Sequence, residues 1–293
     1  MNRAIIALLL AAGSVHGATY FLTVAGLGGE PDYEQRFALL ATDTDKLLKA
    51  GGGSDRIVTT LKSADATKAK MMAALAKIAG DAKPSDVVVL MMIGHGTFDG
   101  SEYKFNLVGP DLSGSELAAA MNKMMATRQL VVGMTSASGG IVTALKRDGR
   151  TVITATKSGS EKNATLFGRY WVEALRDPAS DTDKNETVSA LEAFRYASTK
   201  TAAFFTDQKR LATEHALLED TQRAAAFPIM RYGAAAAVVT DPAKRLLVAK
   251  KEDVENKIDA LKFQKELMAP EDYRRQMQAL LLELARTQNE IDK

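Results

Sequence analysis

The 293-residue chain contains no cysteine, which excludes disulfides, thiolate metal sites and any thiol nucleophile. Histidine is scarce at three residues, and tryptophan occurs once. Charge of one sign is also missing: 38 basic and 36 acidic residues leave a net charge of +2, so no electrostatic footprint for nucleic acid is present. No apolar run is long enough to cross a bilayer comfortably. With 46% hydrophobic and 25% charged residues, the composition is that of a globular protein with a sizeable core.

The chain begins MNRAIIALLLAAGSVHGATY, with a basic Arg3, a short apolar stretch from Ala4 to Ala12, and small residues around Gly17. This pattern is that of a secretory signal ending at residue 17. No lipobox cysteine follows, so the expectation is an exported protein, periplasmic or secreted, with no stable membrane anchor after cleavage. Residues 18–240 are expected to form the main domain and residues 241–293 a helical appendage.

Five apolar runs punctuate the main domain, at 19–25, 56–60, 86–93, 130–134 and 151–156. They are rich in Val, Ile and Leu without strict alternation, as expected of strands buried on both faces. Helical stripes separate them. Tyr33, Phe37, Leu40, Leu47 and Leu48 mark one; Met71, Met72, Leu75 and Ile78 mark another. Ser113 followed by Glu116 is a capping-box signature before the fourth run. Such alternation predicts an α/β fold with a doubly wound, mostly parallel sheet flanked by helices. Beyond it, Leu247, Val254, Leu261 and Met268 recur every seven residues, and Pro270 opens a second helix carrying Met277, Leu280, Leu284 and Ile291. The two read as a C-terminal helical hairpin that either packs on the core or offers a homodimer seam.

In open α/β sheets, sites form beyond the carboxyl ends of strands. The third run ends in IGHGTFDG, which puts His95 between two glycines, and the fourth ends in VVGMTSASGG, which puts Ser136 at a turn of small residues. Parallel neighbours would bring imidazole and hydroxyl to one rim, with glycine backbone N–H groups beside them. His215, in RLATEHALLED, is expected to cap or pack near a helix.

The stretches VAGLGG, IGHGTFDG, TSASGG and ITATKSGSEKNATLFGRYWVEAL together resemble the caspase–haemoglobinase fold, and most of all the legumain-like cysteine peptidases. The likeness spans roughly residues 19–220. It implies a caspase-like sheet, His95 as general base or orienter, Ser136 in the position of the nucleophilic cysteine, and backbone N–H groups of Gly96 and Ser136 as oxyanion donors. The family's basic specificity pair falls near Glu34 and Gln35, its acidic wall on Met134, and its histidine-orienting asparagine on Gly28. These departures mean that asparagine-selective cleavage does not carry over. A serine hydroxyl is a far weaker nucleophile than a thiolate unless a base is well placed. Two readings follow: a catalytically degenerate pseudopeptidase that still engages a peptide or protein at the rim, or an active serine-type hydrolase using a Ser136–His95 dyad. A plain turn serine and a satisfied loop histidine would look the same in sequence. G-x-S-x-G is absent, which argues against an α/β-hydrolase elbow.

The segment DTDKNETVSALE, residues 181–192, matches an EF-hand loop. Asp181, Asp183 and Asn185 take the first three ligand positions, Thr187 would contribute its carbonyl, and Glu192 the bidentate carboxylate, making Ca2+ the expected cofactor. Where the motif needs glycine for its sharp turn stands Glu186, which would be forced towards positive φ at a cost of about 1 kcal/mol. The alternative is an acidic turn with Ser189 capping the next helix.

Overall fold

The computed structural model describes residues 17–51, 56–232 and 264–291, together with separate positions between 247 and 262. The proposed signal, apart from Gly17, and the alanine-rich segment 233–240 lie outside the described residues.

Strand β1 (Thr19–Ala25) is followed by α1 (Pro31–Ala50), β2 (Arg56–Leu61), α2 (Lys68–Asp81) and β3 (Val87–Gly94). Three short strands, β4 (Gly96–Phe98), β5 (Tyr103–Phe105) and β6 (Leu112–Ser113), then form a small antiparallel sheet of their own. The chain continues through α3 (Gly114–Met121), β7 (Arg128–Thr135), α4 (Val142–Leu145), β8 (Arg150–Thr154), α5 (Phe167–Ala174), β9 (Thr187–Ser189) and α6 (Ala190–Asp207). It closes with β10 (Leu217–Glu219), α7 (Thr221–Ala225), β11 (Pro228–Arg231) and α8 (Pro270–Ile291).

The main sheet has the order β10-β8-β7-β3-β1-β2 and is parallel except for β10. The α/β, doubly wound architecture expected from the apolar runs is therefore the one observed, with helices on both faces and a C-terminal helix. β3 sits centrally and every one of its residues is buried, which is why its sequence shows no alternation. On one face, Phe21, Met91, Ile93, Val132 and Met134 pack under α1, α5 and α6, with Trp171 fully buried among them. On the other face, Leu22, Leu90, Met92 and Val131 pack against Met71, Leu75, Leu117 and Met121 of α2 and α3. The capping box at the start of α3 is formed: Ser113 Oγ accepts from the Glu116 N–H and the Glu116 carboxylate accepts from the Ser113 N–H.

Among the described residues, part of the C-terminal stripe packs within the chain. Val254, Ile258 and Leu261 cluster with Met277 and Leu284, and Leu39 of α1 joins them. Polar ties fix the same segment to α1. Lys265 pairs with Glu30, Lys262 with Asp32, and Lys251 with the buried Asp43. Burial alone would raise the Asp43 carboxyl, but Lys251 and Arg176, the latter at 2.9 Å, hold it below its ordinary value. Among the described residues, no helix is long and apolar enough to cross a membrane.

Candidate functional site at the strand ends

The register of β3 and β7 pairs Gly94 with Thr135, so His95 and Ser136 follow directly on neighbouring strand ends. The geometry beyond that point separates their roles. Ser136 is buried, and its hydroxyl donates to the Gly96 carbonyl while accepting from the Gly96 N–H, each at 3.0 Å. Its proton is thus directed at a backbone oxygen. Of the two expected oxyanion donors, the Gly96 N–H is engaged by the serine itself. The turn that carries Ser136 is sharp: Ala137 follows in the left-handed region at φ 53, with its N–H on the Glu161 carbonyl at 2.7 Å.

His95 lies on the α1 side of the sheet. Its ring meets Tyr33 and Phe37 edge-on, with centroids 4.6 and 5.1 Å away. Burial holds the imidazole below its ordinary pKa, and the Lys262 ammonium acts in the same direction. A hydrogen bond to the Gly28 backbone, Asp32 and Glu30 oppose that shift. Gly28, at the position where the resemblance places an orienting asparagine, offers the imidazole only its main chain. Gly28 also has no room for a side chain, since a Cβ there would lie 2.3 Å from the Glu34 nitrogen.

Next to the Tyr33 and Phe37 rings that meet His95 is a cavity of about 150 Å³, whose lining includes neither His95 nor Ser136. Tyr33, Phe37, Ile93 and Met134 supply its apolar wall, while Arg36, Arg169 and Lys262 bring cationic side chains to it. Of the residues expected to bind substrate, only Met134 lines this cavity. Glu34 instead accepts from the Gly28 N–H at 2.9 Å, fixing the loop after β1. Gln35 lines a separate groove between α1 and α8, with Tyr273, Met277 and Leu281. The three are not brought together, because successive positions on α1 point in different directions.

Tyr33 and Phe37 belong to the apolar stripe of α1, and their spacing carries no sign that they meet His95. Nothing in the pattern around Lys262 pointed to the rim either. His215 does not cap a helix: its Nδ1 meets Glu161 Oε1 at 2.6 Å and its N–H donates to Glu161 Oε2 at 3.1 Å. The capping residue in that region is Glu214, whose buried carboxylate accepts from the Leu166 and Phe167 N–H groups at the start of α5.

In the acidic loop, ligand oxygens of Asp181, Asp183 and Glu192 lie within 4.8 Å of one another. The strain expected at Glu186 is present, at φ 64, and Lys184 shares it at φ 59. Asp181 accepts from the Asn185 and Glu186 N–H groups at 3.2 and 3.0 Å. Asn185 uses its amide on Asp183 and the Thr187 N–H, and Thr187 enters β9, which pairs with β11. The capping arrangement is formed as well, with Ser189 as N-cap of α6 and Glu192 bonded back to it. Burial opposes ionisation of Glu192, but bonds from Ser189 and Thr182 outweigh it and keep its carboxyl below the usual range.

No protein-family model matches the chain, and no curated protein sequence matches it either. Among solved structures, it is similar to a structural-genomics target from Geobacter sulfurreducens at 14% identity, covering 73% of this chain and 99% of that one, with a TM-score of 0.47. It is also similar to the Drosophila initiator caspase Dronc at 9% identity, covering 71% and 80% of the two chains, TM-score 0.48. Raptor from Chaetomium thermophilum follows at 12% identity, covering 56% of this chain and 19% of that one, TM-score 0.36.

Proposed function

We propose that the chain is an exported, caspase- or legumain-like scaffold that engages an extended peptide or protein segment at the His95/Ser136 rim without hydrolysing it. One observation carries this reading: the Ser136 hydroxyl is closed onto both polar groups of Gly96, so its proton goes to a carbonyl rather than to an imidazole. An alcohol needs a base within hydrogen-bond reach, whereas a thiol at that position would already be partly ionised. Fold alone confers no activity. A second reading, an active serine hydrolase, is favoured by a different observation, namely that burial lowers the His95 pKa and so favours the neutral form that can accept a proton. A serine-directed fluorophosphonate probe on purified protein separates the two. The expected result is no labelling of wild type, with peptide-library binding lost on His95→Ala. Labelling that disappears in Ser136→Ala would overturn the degenerate reading in favour of the hydrolase.

We also propose a calcium ion for the 181–192 loop, supported by its EF-like backbone course: left-handed residues at its fourth and sixth positions and a strand at the seventh to ninth. Calorimetry with calcium tests it, since heat is expected from wild type and none from Asp181→Ala. Flat traces for both would dismiss the ion.

A further inference from the structure

A second polar concavity lies at the opposite end of the sheet, where β8 begins and β10 ends. Arg150 opens β8 and is only 5% exposed. Its guanidinium donates to three neutral oxygens: Gln129 Oε1 at 2.9 Å, the Leu145 carbonyl at 3.0 Å and Asn122 Oδ1 at 2.9 Å. Arg147 donates to the same Asn122 side-chain oxygen at 3.1 Å and to the Asn122 carbonyl at 3.1 Å. Two cations therefore converge on one uncharged amide. Among the described residues, no carboxylate pairs with either of them. Three acids share the same wall and pair with two other cations: Arg223 holds Asp220 at 3.1 Å and reaches Asp148 at 4.0 Å, and Lys146 reaches Glu219 at 4.0 Å.

Burying a guanidinium without a counter-charge is unfavourable. Burial pushes Arg150 down to about 10, and Arg147 adds to the shift. A guanidinium has five N–H donors, and three bonds leave one on each terminal nitrogen. Arg150 and Arg147 line a cavity of about 220 Å³, which Lys146 and Arg223 border together with the carboxylates Asp148, Glu219 and Asp220. Val142 and Val152 add an apolar wall.

We propose that this cavity binds a tetrahedral oxyanion of the phosphate class, held by Arg147 and Arg150. The site is independent of the His95/Ser136 reading. Charge-assisted bonds to such an anion supply the counter-charge that the protein does not, and the valine wall accommodates the stem of a phosphomonoester.

Calorimetry and thermal melting of the full chain at fixed ionic strength test the site, with inorganic phosphate, glycerol phosphate and acetate as separate ligands. Saturable binding of phosphate is expected, weakened at least about tenfold in Arg147→Gln, which removes an exposed side chain, and unchanged in His95→Ala. Tighter binding of glycerol phosphate would identify a phosphomonoester, and equal binding a free oxyanion; either supports the site. No saturable binding, equal stabilisation by acetate, or an unaltered affinity in Arg147→Gln would overturn it. The melting temperature of Arg147→Gln without ligand controls for loss of fold.

Discussion

The serine turn after β7 and the acidic loop before α6 both force non-glycine residues into the left-handed region, Ala137 in the first and Lys184 and Glu186 in the second. They hold that strain by different means. At the serine turn the surroundings are buried and mostly backbone: Ser136 is bonded twice to the Gly96 main chain, Ala137 to the Glu161 carbonyl, and the Gly139 N–H to the Thr156 hydroxyl. At the acidic loop the strained residues are exposed, and the carboxylates of Asp181 and Asp183 collect the turn's N–H groups. Strained backbone persists only where neighbours over-determine it. The comparison teaches that a packed wall and a polar knot can impose the same conformation, with unequal tolerance of change.

The sharpest way to break the first kind of support is to crowd it. A Cβ at Gly139 would lie 2.2 Å from the Ser158 nitrogen, which is backbone that cannot swing away. Gly139→Ala is expected to destabilise the protein by about 3 kcal/mol, read as a shift in the urea midpoint. A wild-type-like midpoint would show that the wall yields. For the second kind, Asp181→Ala removes the acceptor for two N–H groups in a residue that is 4% exposed. About 2 kcal/mol should be lost in calcium-free buffer; no loss would mean that the knot is not what holds the loop. The smallest effect discriminates best. Glu186→Gly is expected to stabilise by about 1 kcal/mol by relieving the left-handed strain. Ala137→Gly should gain less, because its methyl group is fully buried. Equal gains at both positions would erase the distinction.

The main sheet was legible because its strands are long and apolar: the observed β1, β2, β3, β7 and β8 begin and end within two residues of the apolar runs. The small β4–β6 sheet was not, since strands of two or three residues are too short to display a period. At the rim, the adjacency of His95 and Ser136 could be read from the two strand ends, but the partners of each could not. Gly28 contributes backbone, which leaves no side-chain signature, and Glu214 reaches α5 across 48 positions of sequence. Lys262 arrives from a helix whose sequence signals only its own apolar stripe. Long-range polar contacts of this kind have no local pattern to betray them.

The Asp43 tie bears on how the molecule is made. Its lysine partner lies 208 positions later in the chain, and its glutamine partner 245 later. During synthesis, the first helix emerges long before either can reach it, leaving a carboxylate that must stay wet. The imidazole's surroundings are likewise completed by Lys262, which is synthesised far later than His95. The first helix thus waits on residues made 208 and 245 positions later, and the rim can reach its finished form only after that stretch has been synthesised.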